Sequence, residues 1–131
     1  MRLVLDASAL VQLVADEEES DALREFFAGD DELHVPAICD AEVVSGLARH
    51  VRTGSTSADA ARDALVDYIS LPLTRHMHVS LIARTYELTA NFAASDASYV
   101  ALAEALDASL VTLDGPLGRA VRRHTSVEVL P

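Results

Sequence analysis

Four acidic residues, Asp6, Glu42, Asp96 and Asp114, stand where an apolar strand stops or a helix starts. Carboxylates are hard oxygen donors, and several in one crevice select Mg²⁺ or Mn²⁺ over softer metals. A divalent ion held this way suits phosphoryl chemistry: it neutralises phosphate, sharpens a water into a nucleophile and steadies the departing oxygen. The cost of assembly also points there. Taken as the ends of neighbouring parallel strands about 5 Å apart, Asp6 and Asp114 repel by roughly 3 kcal/mol at an effective dielectric constant of ~20. Adding Glu42 and Asp96 raises that cost, which a fold sustains when a proton or cation is usually present.

Each acid owes its position to a local element. Leu3-Val4-Leu5 is a short unbroken apolar run, the mark of a strand covered on both faces. Asp6 follows it directly, at the end of the strand where open parallel sheets bind ligands. Alone, Asp6 could equally cap a helix. Ser8 reads as the N-cap of a helix over residues 9–14. Asp16 to Glu19 read as the capping box of a further helix carrying Ala22, Leu23, Phe26 and Phe27 and stopping at Gly29. A strand at Leu33-His34-Val35 is closed by Pro36.

The next helix, from about residue 37, carries Val44, Leu47, Ala48 and Val51 at i, i+3, i+4 and i+7, an apolar stripe. Glu42 lies on roughly the opposite side with Ser45 and Arg49 along its own face. Asp40 is a supporting residue at most. Residues 53–57 form a loop and residues 58–69 a helix with Ala61, Leu65 and Tyr68 on one side. Leu71-Pro72-Leu73 reads as an edge strand, where proline is tolerated. His76 and His78, with no cysteine nearby, read as a loop edge rather than metal ligands. Residues 79–90 form a helix with Ile82, Tyr86 and Leu88 among its apolar positions. In the helix from Ser95, its N-cap, to about Leu106, Asp96 shares a face with Val100 and Ala103, an inward position that solvation would not choose. Leu110-Val111-Thr112-Leu113 ends in Asp114, with Thr112 on the same side two residues earlier. A basic helix over 117–123 and a strand over 127–130 complete an α/β domain, residues 1–131, with a mainly parallel central sheet flanked by helices.

Composition narrows the chemistry. The formal charge is −11, so nucleic acid is not attracted to the surface as a whole, though a local basic strip is compatible with it. All ten cationic side chains are arginines, suited to bidentate phosphate contact. The absence of lysine removes Walker-type phosphate loops and Schiff-base chemistry. Cys39 is the single cysteine, read as a small buried hydrophobe in a reducing compartment. The chain enters a strand at once, without the regions of a signal peptide, and has no apolar run long enough for a membrane. A cytoplasmic protein is expected.

Four segments carry a family likeness: Leu5-Asp6-Ala7-Ser8-Ala9-Leu10, Pro36-Ala37-Ile38-Cys39-Asp40-Ala41-Glu42-Val43, Ser95-Asp96-Ala97-Ser98-Tyr99-Val100-Ala101-Leu102-Ala103, and Leu110-Val111-Thr112-Leu113-Asp114. In this order they resemble the PIN-domain ribonucleases, most closely the VapC-type toxins of toxin–antitoxin modules, over essentially the full chain. The resemblance implies a PIN fold, with Asp6, Glu42, Asp96 and Asp114 as the catalytic, metal-holding quartet and Ser8 and Thr112 orienting it. It implies a Mg²⁺- or Mn²⁺-dependent endoribonuclease leaving a 3′-hydroxyl and a 5′-phosphate. It also implies a homodimer restrained by a VapB-like antitoxin over the acidic cleft. The arginines are not carried by the likeness. Arg49, on the Glu42 face, and Arg119, Arg122 and Arg123, soon after Asp114, are read from position as candidate contacts to RNA.

Rival readings fare less well. A haloacid-dehalogenase-like phosphatase needs a second aspartate where Ser8 stands, and it and a receiver domain both need a lysine. A PIN-like scaffold with little catalysis has no reason to bear the repulsion of four acids.

Overall fold

A strand that is apolar at every position needs a cover on each face, and Leu3, Val4 and Leu5, which point alternately to the two faces, are all buried. They belong to β1 (Arg2–Leu5) in a computed structural model that describes residues 1–15, 21 and 29–131. After β1 come α1 (Ala7–Ala15), β2 (Glu32–Pro36), α2 (Cys39–Arg52), α3 (Ala58–Ser70) and β3 (Leu73–His76). A 3-10 turn (Val79–Leu81) leads into α4 (Ile82–Leu88), followed by α5 (Ala94–Leu106), β4 (Ser109–Val111), α6 (Gly115–His124) and β5 (Val129–Leu130). The helix expected over residues 16–29 lies outside the described residues except at Asp21 and Gly29. Among the described residues, no helix is long and apolar enough to cross a membrane.

The five strands form one sheet in the order β3-β2-β1-β4-β5, and every pairing is parallel. Parallel neighbours need crossover connections, which the helices supply. α5 lies close on β1, β2 and β4, while α1, α2 and α3 pack on one another. Small side chains make the first contact possible. Every residue from Ala97 to Ala103 is buried, three of the seven being alanines.

Several elements differ from the sequence reading. On α2 the buried positions are Cys39, Val43 and Leu47, and Val44 and Ala48 are exposed. The true stripe is rotated by about one residue and shares only Leu47 and the half-buried Val51 with the expected one. The edge strand begins after Pro72 rather than containing it, and His76 is its last residue, paired in register with Pro36. Where one helix was expected over 79–90, the 3-10 turn gives way to a short α-helix. There Leu88 is buried but Ile82 and Tyr86 are exposed.

The cap of α5 lies two residues early, at Ala93 with no side-chain bond, so Ser95 is not the N-cap. The last strand is confined to Val129–Leu130. Gly54 turns the chain at φ +80° after α2, in the loop read at 53–57.

Candidate active site

In this strand order β1 has β2 on one side and β4 on the other, so the sheet is extended in opposite directions from β1. A crevice opens at such a point, beyond the carboxyl ends of the strands. Leu5 pairs with Val111, and Asp6 and Thr112 are the next residue on each strand. The Asp6 amide continues the ladder by donating to the Val111 carbonyl at 3.1 Å.

Thr112, not Asp114, therefore stands beside Asp6. β4 ends at Val111, three residues short of the acid expected to close it. Asp114 is instead the N-cap of α6, its Oδ1 accepting from the Leu117 amide at 3.0 Å. A capping aspartate at a helix N-terminus satisfies an orphan amide and faces the positive end of the helix dipole.

Asp6 is 5% exposed and hydrogen-bonded at both carboxylate oxygens. Its Oδ1 accepts from the Ser8 hydroxyl at 2.7 Å and the Ala9 amide at 3.0 Å. Its Oδ2 accepts from the Thr112 hydroxyl. Asp6 itself thus caps α1, and Ser8, expected as the cap, lies inside the first turn. Ser8 is better described as a stitch: it donates to Asp6 and accepts from the Leu113 amide at 3.1 Å. Thr112 does the same for the next residue, accepting from the Asp114 amide at 3.0 Å. Burial pushes the Asp6 carboxyl above its ordinary range, the three hydrogen bonds oppose that, and the charge of Asp114 adds to it.

Glu42 enters from the first turn of α2 and Asp96 from the first turn of α5, both half-buried. The Tyr99 hydroxyl donates to Glu42 Oε1 at 2.6 Å. Asp96 is raised above the usual carboxylate range, first by burial and then by the charges of Asp114, Glu42 and Asp6. The other three acids are thus within electrostatic reach of Asp96. All four line one cleft of about 770 Å³.

The cleft continues along α2 through Ser45 and Gly46 to Arg49 and His50, roughly 10 Å beyond Glu42 at 1.5 Å per residue. The floor is close-packed: a Cβ on Gly46 would lie 2.9 Å from Val11 Cγ2, so only glycine lets α2 approach α1 this closely.

Of the arginines considered, Arg49 lines the cleft and Arg119 does not. The Arg119 guanidinium folds back on its own helix, 3.1 Å from where a Gly115 Cβ would be. Arg122 reaches the Val129 carbonyl at 3.4 Å, towards β5. Asp40 serves elsewhere. Its two oxygens each accept from Arg75 Nε at 3.0 Å, and Oδ1 also accepts from the Tyr68 hydroxyl at 2.6 Å. The Arg75 bond is the main cause holding its carboxyl below the usual range.

His76 pairs with His34 (Nε2 to Nδ1, 2.8 Å), and His78 Nε2 accepts from the Ile38 amide. Tyr99 and Gly46 are among the cleft residues that sequence reasoning passed over, with Val11, Gln12 and His50. Tyr99 sits in an apolar helix and reads as core, and Gly46 gives no periodic signal.

Among the described residues, no three His, Cys, Asp or Glu side chains are gathered tightly enough to enclose an ion by themselves. No ion pair neutralises any of the four acids there either. The donor chemistry of this open set of carboxylates fits a hard divalent cation such as Mg²⁺. That ion keeps several waters and takes one or two carboxylates plus substrate phosphate, rather than a closed protein cage.

A family model for the PIN domain matches residues 3–122. The chain belongs to the PIN-domain family. Within it the chain is 38% identical over 129 residues to Ribonuclease VapC9 of Mycobacterium tuberculosis, the match covering 98% of each. It is 31% identical over 128 residues to Ribonuclease VapC12 of the same organism, again over 98% of each. The fold is that of VapBC2 from Rickettsia felis, solved bound to a DNA fragment from their promoter. The TM-score is 0.72 at 17% identity, over 99% of this chain and 98% of that one. In this PIN sheet Asp6 and Thr112 stand at the switch point between β1 and β4, where the strand order opens a crevice.

Proposed function

We propose that this PIN domain is a Mg²⁺- or Mn²⁺-dependent endoribonuclease that acts as the toxin of a toxin–antitoxin pair. The observation that carries the reading is the Asp96 carboxyl, crowded by three other acids in one open cleft with no cation paired to them among the described residues. Its VapC relatives are named as ribonucleases, which supports RNA as the polymer cut.

Asp6, Glu42, Asp96 and Asp114 are the residues that would hold the ion. Asp6 is the fixed member, since Ser8, Ala9 and Thr112 leave its carboxylate one orientation. The other three reach in from three separate elements. When bound, the ion offsets phosphate charge, favours generation of a nucleophile from water and steadies the departing oxygen. In the hydrolysis a water oxygen bonds to phosphorus and the P–O3′ bond breaks. The proton lost by water balances the one gained by the 3′-oxygen, leaving a 3′-hydroxyl and a 5′-phosphate. Arg49, on the same wall as Glu42, is placed to meet a phosphate flanking the cut.

The cognate antitoxin would cover this cleft with a cationic segment, because the uncompensated acids attract one as they attract a metal. A homodimer belongs to the same reading, and the exposed Met77, Val79, Ile82 and Tyr86 offer a second copy an apolar surface. The compartment is the cytoplasm. Sequencing RNA ends after induction of the wild-type and Asp6→Asn proteins tests the activity. New 5′-phosphate ends are expected with the first and none with the second, and identical end profiles would defeat the proposal.

A further inference from the structure

Two buried tyrosines flank Cys39 on α2, and each spends its hydroxyl on an acid of that helix. Tyr68, from α3, donates to Asp40 Oδ1 at 2.6 Å, and Tyr99, from α5, donates to Glu42 Oε1 at 2.6 Å. The Cys39 thiol lies beside both hydroxyls and burial pushes it up to about 11, so it does not compete for them as a charged group. The two contacts are chemically alike but differ in place. Asp40 faces away into the Arg75 pair, whereas Glu42 and Tyr99 both line the acidic cleft.

A glutamate in the first turn of a helix has three rotatable bonds and normally spreads over several rotamers. Glu42 is also surrounded by like charge, which favours rotamers that swing it out to water. Tyr99 is 2% exposed, held by the α5 core, and so presents its hydroxyl at a fixed point. The bond engages Oε1 and does not involve Oε2.

We propose that Tyr99 is a positioning residue for the cleavage reaction: its hydroxyl holds the Glu42 carboxylate turned into the cleft, so that Oε2 is offered to the cation or to a water of its shell. The inference rests on the metal-dependent reading above. Outer partners that orient metal-binding carboxylates typically contribute 10–100-fold to metal affinity or activity.

Titrating Mn²⁺ calorimetrically into the metal-free full-length protein tests it without relying on turnover. Tyr99→Phe is expected to weaken Mn²⁺ binding at least tenfold and to lower kcat with KM for RNA within twofold. Tyr68→Phe removes the matching atom on the other flank and should leave Mn²⁺ affinity within twofold. In a Glu42→Ala background, Tyr99→Phe should change affinity less than twofold, because the group it orients is gone. Less than a tenfold loss in Tyr99→Phe, or an equal loss in Tyr68→Phe, overturns the inference while the nuclease reading stands. Wild-type protein that takes up no Mn²⁺ overturns both. Should Tyr99→Phe be too unstable to titrate, Glu42→Asp draws the carboxylate back from the hydroxyl by one methylene, and Mn²⁺ binding there within tenfold of wild type overturns the inference equally.

Discussion

Thr112 and Asp6 are locked together across the seam between β4 and β1, residue 112 donating from one strand end to the carboxylate of the other. Thr112 also receives the Asp114 amide, so one hydroxyl ties two acids of the quartet. Thr112→Val keeps the shape and removes both bonds. It should destabilise the protein by about 1–3 kcal/mol, the usual cost of leaving buried polar groups without partners. Cleavage should fall further than the stability loss explains, as read by denaturation and by rate under conditions where the variant is fully folded. A variant as active as wild type would show that the tie does not matter.

Asp6→Asn should separate fold from function. Burial already disfavours the Asp6 charge, so folding gains from its removal, and the amide can still accept from Ala9 and donate to Thr112. Urea denaturation in EDTA should give a variant as stable as wild type or more so. Mn²⁺ at 100 times its dissociation constant should stabilise wild type by about 2.7 kcal/mol and Asp6→Asn by clearly less, with RNA cleavage abolished.

Arg49→Ala addresses substrate grip. Taking away one phosphate contact on single-stranded RNA should lower the slope of log affinity against log salt by about 0.7. Binding isotherms at several salt concentrations read this directly. An unchanged slope would remove Arg49 from the RNA interface, and Arg119→Ala, outside the cleft, is expected to leave it unchanged.

His34 gives the fold a pH dependence of known sign. Burial, with the neighbouring His76 second, lowers its pKa below the ordinary 6.5. Among the described residues its Nε2 is buried without a hydrogen-bond partner. The unfolded chain therefore takes up this proton at a higher pH than the folded one. Stability is fully present above about 6.5 and falls as the pH drops towards the folded value, by at most about 1.4 kcal/mol per pH unit. Asp6 and Asp96 are raised rather than lowered, and their contribution has the opposite sign at lower pH. The difference between wild type and His34→Leu from pH 7.5 to 5 isolates the histidine, and parallel curves would refute this account.

The site was legible in the sequence wherever a residue's neighbours along the chain determine its position. An apolar run of three stopping at Asp6 implies a strand end, and Glu42 and Arg49, seven residues apart on one helix, must share a face. What periodicity could not decide was which side of α2 meets the core. Val43 and Val44 are equally apolar, and Val43 is the inward one because it shares the buried face of Cys39 and Leu47. Asp114 was misplaced for a related reason: Thr112 and Leu113 suit a strand, but pairing ends at Val111 and the chain is already turning into α6. The Tyr99 bond to Glu42 joins residues 57 positions apart, a separation at which no local pattern reports.

Gly46 sets the bore of the groove. A methyl added there would lie 2.9 Å from Val11 Cγ2, so unless the stiff Val11 side chain turns aside α2 must move off α1. Because Glu42 and Arg49 ride on that same rigid rod, they would back away in step. The spacing of Glu42 and Arg49 would survive, while both drew away from Asp6, Asp96 and Asp114. A single missing carbon thus helps to set how far the two walls of the cleft stand apart.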